Sequence, residues 1–302
     1  MKTLQGTGVA LVTPFNKEGD VDVPALERLV HTQVENGIDY LVVLGTTAET
    51  PTLSTEEKEL VKMTVKKANK GRLPMVLGVG GNNTQTIVEQ VREVSSEDYT
   101  AILSVTPYYN KPSQEGIYQH FSTLARRSSL PIVLYNVPGR VGVNMAPDTV
   151  IRLAQGHENI IGVKEASGFP QQAEQITSAE LPKDFVVLSG DDALTVAFVQ
   201  NGAQGVISVV GNAYPRLTSR LTHLAMQGRY NEADMLQTAM RQINTQLFQE
   251  GNPAGIKALL RLMCLIDSDT LRLPLVPVSE ELRVRLDETR KELDLYASTI
   301  GC

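Results

Sequence analysis

Short aliphatic and β-branched runs recur eight times along the chain, and each is followed by a stretch with helical punctuation. This repetition limits the fold more than any other feature. The runs cover residues 9–12, 40–44, 75–79, 101–105, 132–135, 160–164, 185–188 and 205–209, with successive starts 20 to 35 residues apart. Such an interval holds one strand, one crossover helix and two loops. Most runs are apolar throughout instead of alternating, which is the pattern of strands covered on both faces in a parallel sheet. Between them, Ser54-Thr55-Glu56-Glu57 reads as a capping box, because the serine oxygen accepts a free N–H while Glu57 reaches back. Leu60, Val61, Val65 and Ala68 follow at helical spacing, and Asn69-Lys70-Gly71 stops the helix before Pro74. Asp22 ahead of Leu26, Leu29, Val30 and Val34 repeats the arrangement, as does Pro147 ahead of Val150, Ile151 and Ala154.

Eight such units predict a (β/α)8 TIM barrel. Count alone leaves an open, doubly wound sheet as the alternative. Beyond Gly211 only helical patterns remain, over residues 214–226, 231–248, 253–263 and 279–296. The expected organisation is therefore a barrel catalytic domain over residues 1–225 and a C-terminal α-helical region over 226–302. No low-complexity linker parts them, so the appendage is expected to lie against the barrel's side.

Charge and cysteine content narrow the class. Lys and Arg number 28 against 34 Asp and Glu, a net charge of −6, which argues against a basic face for nucleic acid. Cys264 and Cys302 are too few for a disulfide framework or a zinc site. The sequence from Met1 to Gly8 lacks a leader's apolar stretch, and no run approaches the roughly 18 apolar residues of a membrane span. A cytoplasmic protein with no membrane partner is expected.

In a barrel the strand C-termini and the loops after them form the active-site face, and the residues at those ends are chemically unusual. The second run ends in Gly45-Thr46-Thr47-Ala48-Glu49, the fourth in Thr106-Pro107-Tyr108-Tyr109-Asn110 and the fifth in Tyr135-Asn136-Val137-Pro138-Gly139-Arg140. The sixth ends in Lys164-Glu165 and the seventh in Ser189-Gly190-Asp191-Asp192. Lys164 terminates the apolar Ile160-Ile161-Gly162-Val163. Burying an unpaired ammonium is costly, so such a lysine either pairs or becomes neutral. When neutral it is a nucleophile for a ketone or aldehyde. The alternative is a structural salt bridge with Glu165, although strand neighbours point to opposite faces. Thr46 and Thr47 either hold a carboxylate and relay a proton or cap a helix. Tyr135 either exchanges a proton with an imine or simply packs. Tyr108 and Tyr109 point opposite ways if extended, and Arg140 either captures a carboxylate or stays solvated.

Other signals are weaker. Gly78-Val79-Gly80-Gly81 lacks dinucleotide or P-loop spacing, and His31, His120, His157 and His223 show no paired metal-ligand spacing. No metal site is predicted. Asp191 and Asp192 either ligate a cation or cap the following helix, and Gly-X-Ser-X-Gly is absent.

The five motifs at the run ends, in this order and spacing, resemble those of the pyruvate-dependent class I lyase family that includes dihydrodipicolinate synthase and N-acetylneuraminate lyase. The resemblance runs from Gly6 through the C-terminal helices. The double threonine and Tyr135-Asn136-Val137-Pro138-Gly139-Arg140 look like the synthase branch rather than the sialic acid or sugar-acid lyases. It implies that Lys164 forms a Schiff base with pyruvate and that no separate cofactor is needed. It further implies that Tyr135 shuttles protons, with Thr46 or Thr47 and Tyr109 completing the relay. Thr47, Gly190 and the main chain of Ile207 would contact pyruvate, and Arg140 would hold the carboxylate of aspartate 4-semialdehyde. The residue matching Tyr109 comes from a neighbouring subunit in such enzymes, which implies a dimer as the catalytic minimum within a dimer of dimers. The activity implied is condensation of the two substrates in diaminopimelate and lysine biosynthesis. The alternatives are another pyruvate-dependent aldolase, or a protein that binds without turnover.

This chain departs from the family pattern at Ala48, where Gly is usual, and at Val141, where Thr is common. Asn82 and Tyr108 match the regulatory site of lysine-inhibited relatives. Thr55, Lys58 and Thr86 replace the His, His and Glu common there. A cationic inhibitor would lose an acidic partner and meet a like charge, so lysine feedback is expected to be weak or absent.

Overall fold

Side chains alternate between the two faces of a strand, and here both faces find apolar cover. In the computed structural model, which describes residues 4–302, the runs become β1 (Gly6–Ala10), β2 (Tyr40–Val43), β3 (Met75–Gly78) and β4 (Ala101–Val105). They continue as β5 (Ile132–Asn136), β6 (Ile160–Glu165), β7 (Val186–Ser189) and β8 (Gly205–Ser208). Met1, Lys2 and Thr3, part of the N-terminal stretch read above as lacking a leader, lie outside the described residues. All pairings are parallel and in chain order, and β8 closes on β1. The molecule is thus a closed (β/α)8 barrel and not an open sheet. Val42, Val76, Leu103, Val133, Val186, Leu188 and Ile207 fill its interior. Val9, Leu41, Val43, Ile102, Leu134, Val163 and Val187 face outward to the helices.

β1 starts three residues before the apolar run that marks it in the sequence. A Cβ at Gly8 would collide with the Tyr40 ring on the next strand, and that ring is 1% exposed. A glycine beside a phenol occupies the volume of two aliphatic residues, so this part of the strand carries no apolar signature.

The crossovers are α1 (Val23–Glu35), α2 (Thr55–Asn69), α3 (Thr84–Glu93) and α4 (Gln114–Ala125), then a one-turn helix α5 (Pro138–Val141) followed by α6 (Pro147–Gly156). α7 (Pro170–Thr177), α8 (Thr195–Gln200) and α9 (Pro215–Met226) complete the ring. Asp22 caps α1, and Ser54 and Glu57 form the complete capping box of α2. The remaining helices are α10 (Tyr230–Ala239), α11 (Arg241–Gln249), α12 (Ala254–Leu262) and α13 (Glu280–Thr299). The single helix expected over 231–248 is two, parted at Met240, whose side chain is 1% exposed. No Gly or Pro marks the break. The chain bends where Met240 anchors in the core. One apolar cluster joins Val12, Leu29, Val196 and Leu221 of the barrel flank to Leu259, Leu286 and Leu293 of the C-terminal helices. Among the described residues no helix is long and apolar enough to cross a membrane.

Candidate active site

Register, more than sequence proximity, assembles the centre. Tyr135 on β5 and Lys164 on β6 are lateral partners on adjacent parallel strands, so both side chains enter the barrel at one level. Lys164 is 5% exposed and Tyr135 is 6% exposed. The Lys164 Nζ stands 4.4 Å from the centroid of the Tyr135 ring, where the quadrupole of the phenol favours a cation. Glu165 does not pair with it. That carboxylate turns to the opposite face and accepts from Asn136 Nδ2 (2.9 Å), the Ser167 N–H (2.7 Å) and Gln172 Nε2 (3.0 Å). Burial pushes its pKa up, against the pull of those donors. Glu165 instead braces the next loop, because Asn136 also accepts from the Met145 N–H (2.9 Å) and so fixes both ends of the segment that carries α5 and Arg140.

Gly190, just beyond β7, explains itself by clearance. A Cβ there would lie 2.5 Å from Ala166 Cβ and 3.0 Å from Lys164 Cε. Its absence leaves the lysine stem free to lie along the strand ends. Ile207 on β8 is 2% exposed and faces the same interior. The two aspartates that follow Gly190 divide their work. Asp191 caps the turn after β7 through the Ala193 N–H (2.9 Å). Asp192, buried and with its pKa raised by desolvation, accepts from the Val209 and Val210 N–H groups (2.8 and 3.1 Å). It thereby pins the chain just after Ile207.

The threonine pair lies on a short 3-10 turn, Thr46–Ala48. Leu44 (φ 55°) and Glu49 (φ 54°) flank it in the left-handed region, a conformation costly for such residues and concentrated at functional sites. Neither threonine caps α2, a task that falls to Ser54. Thr47 is 2% exposed, and its Oγ1 accepts from Asn252 Nδ2 at 3.1 Å, whereas Thr46 is exposed. Arg140 is exposed as well, and its Nη2 donates to the Asn252 carbonyl at 3.4 Å. Within one chain the Tyr109 ring does not join this group. It is 83% exposed, on a backbone with φ 73°.

Beneath the threonine turn is an ion pair with both side chains fully buried: Lys257 Nζ lies 2.5 Å from Glu49 Oε1. Nζ also donates to the Thr270 carbonyl (3.0 Å) and sits 4.0 Å from the Phe15 ring centroid. Desolvation lowers the Lys257 pKa to about 8, opposed by Glu49. Glu49 Oε2 accepts from the Arg272 N–H (3.1 Å), and the Arg272 guanidinium pairs with Glu57. The carboxylates near the mouth are therefore committed: Glu49 to Lys257, Glu165 to amides, Asp192 to backbone. Arg140 is left to give the mouth a local positive character on a chain of net charge −6, suited to small anions. Asn252, Glu49 and Lys257 were missed in the sequence. Nothing local in the sequence places Asn252 beside Thr47.

Residues 3–293 match the family described as the dihydrodipicolinate synthetase family. A 4-hydroxy-tetrahydrodipicolinate synthase from Flavobacterium psychrophilum is 50% identical over 293 residues, 97% of this chain and 99% of the relative. The solved 4-hydroxy-tetrahydrodipicolinate synthase from Methylacidiphilum fumariolicum SolV has a TM-score of 0.94 at 40% identity, covering 99% of this chain and 98% of that one. The chloride-inhibited dihydrodipicolinate synthase from Acinetobacter baumannii, complexed with pyruvate, has a TM-score of 0.93 at 39% identity, covering 97% and 99%.

Proposed function

The chain belongs to the dihydrodipicolinate synthetase family and is an enzyme of its lyase class, and on that premise we propose that Lys164 carries a Schiff-base condensation of pyruvate with L-aspartate 4-semialdehyde. The observation that carries this reading is the buried Lys164 amine over the Tyr135 ring, with its neighbouring carboxylate turned away. The neutral amine attacks the ketone of pyruvate, and loss of water gives a protonated imine that serves as the electron sink, so no separate cofactor is invoked. A proton leaves the methyl carbon, and the resulting enamine attacks the aldehyde. The amine of the second substrate then displaces Lys164 and closes the ring, giving 4-hydroxy-tetrahydrodipicolinate. The one water released is the water of imine formation.

In this scheme the Tyr135 phenol carries protons to and from the imine, and the Thr47 hydroxyl serves the relay and the pyruvate carboxylate. Gly190 and the main chain of Ile207 border the bound pyruvate. Arg140 holds the carboxylate of the semialdehyde. Thr46 belongs to the same relay, and Tyr109 acts between subunits: a tyrosine so exposed, held on a strained loop, suits insertion into a second copy of the chain, and the assembly is a dimer of dimers. Free Cys264 and Cys302 suit a reducing cytoplasm. The test is acceptor choice. With pyruvate supplied, aspartate 4-semialdehyde is expected to be consumed and N-acetylmannosamine not, and the reverse preference would replace this reading with a sugar-acid lyase.

A further inference from the structure

We propose that Asn252, on the segment leading into α12, is a positioning residue that sets the direction of the Thr47 hydroxyl, which makes the C-terminal helices part of the reaction centre. This rests on the reading that Thr47 faces pyruvate at Lys164.

A hydroxyl has one proton to donate and two lone pairs to accept with. Asn252 is 6% exposed, and its Nδ2 donates to Thr47 Oγ1 at 3.1 Å. Among the described residues this amide is the partner of the Thr47 hydroxyl. Because the oxygen accepts from behind, its own proton is available to a substrate oxygen or to the Tyr135 phenol. The opposite end of the amide, Oδ1, is buried without a partner. An unsatisfied buried carbonyl is destabilising, so packing alone would be better served by an aliphatic residue. What the amide offers in return is a donor aimed at Thr47.

Two further contacts make the positioning firm. The main-chain carbonyl of Asn252 accepts from Arg140 Nη2 at 3.4 Å, so one residue touches side chains assigned to both substrates. Lys257, farther along the same segment, pairs with Glu49 two residues beyond Thr47, with both side chains fully buried. The threonine turn and the start of α12 are therefore joined at two points, and neither moves without the other.

The test is Asn252→Asp, nearly identical in shape but opposite in bonding. When ionised, the new carboxylate only accepts, so it draws the Thr47 proton away from the pocket. When protonated, it carries an O–H that donates as the amide does. We expect the variant to form a borohydride-trapped pyruvate imine on Lys164 as the wild type does. Its kcat should fall by about a hundredfold at high pH and recover toward the wild-type value as pH is lowered, a profile the wild type lacks. In a Thr47→Val background the same substitution should add nothing, and this second measurement reads the coupling even if one single variant is poorly folded. A kcat within about twofold of wild type at every pH, or the same pH-independent loss in Asn252→Ala and Asn252→Asp, would overturn the proposal. Wild-type protein that traps no pyruvate on Lys164 would instead remove the site reading beneath it.

Discussion

Replacing Lys257 with methionine isolates the ion pair under the threonine turn. Lys257 and Glu49 are both fully buried, 2.5 Å apart, and the ammonium also rests on Phe15. Methionine keeps most of the aliphatic stem, so the main loss is the positive charge. Glu49 then stays buried with the Arg272 N–H at 3.1 Å as its remaining hydrogen bond. Breaking one side of such a pair typically costs about 3–5 kcal/mol. The Arg272 guanidinium is nearby, so the lower end, about 3 kcal/mol, is the expectation. Removing both charges together, as Glu49→Leu with Lys257→Met, should recover at least half of that, because desolvation and attraction nearly cancel in a buried pair. Urea unfolding at fixed protein concentration reads these values, since subunit association would otherwise shift them. A single variant within about 1 kcal/mol of wild type, or a double variant no more stable than the worse single one, would refute the reasoning.

Gly190→Ala places a methyl against Ala166 and the Lys164 stem. The fold should survive at a cost of about 1–3 kcal/mol, while imine formation slows by about a hundredfold through displacement of the amine; unchanged trapping kinetics would contradict the clearance argument. At the opposite end of the barrel, Asp39 accepts from His223 Nε2 (2.9 Å) and holds the imidazole pKa above its ordinary value. The folded chain thus keeps that proton to higher pH than the unfolded chain. The resulting stability is complete below about pH 6.5 and is lost as pH rises through the folded pKa. His223→Gln should therefore lower Tm at about pH 6 and leave it nearly unchanged at about pH 9, an effect of about 1 kcal/mol or less for so exposed a pair. A pH-independent change would discount the ion pair. Added L-lysine should inhibit weakly or not at all, because Lys58 offers a like charge and Thr86 no carboxylate, although Asn82 still donates to the Tyr108 carbonyl (3.3 Å). Inhibition as tight as in sensitive relatives, measured by steady-state kinetics, would reverse that expectation.

The barrel was legible because its strands are apolar on both faces: six of the eight begin at the first residue of their run, and β7 one residue later. β1 does not, since the pairing of Gly8 with Tyr40 replaces two aliphatic side chains. Lys164 was legible for a related reason, being a charge at the end of an apolar run. Tyr135 was legible as a phenol on the neighbouring strand end, and the register of β5 on β6 adds that the two residues stand side by side. Asp191 and Asp192 looked alike in sequence, yet one caps a turn and the other holds the backbone after Ile207. Asn252 and Lys257 were not legible. Their partners Thr47 and Glu49 lie about 200 residues earlier in the chain, and local patterning carries no information on contacts at that separation.

Borohydride reduction in the presence of pyruvate, followed by peptide mass spectrometry, tests the central claim most directly. The account predicts one pyruvate-derived adduct, on the peptide carrying Lys164, and none in Lys164→Arg. An adduct on a different lysine, or no adduct at all in protein that turns over both substrates, would contradict it.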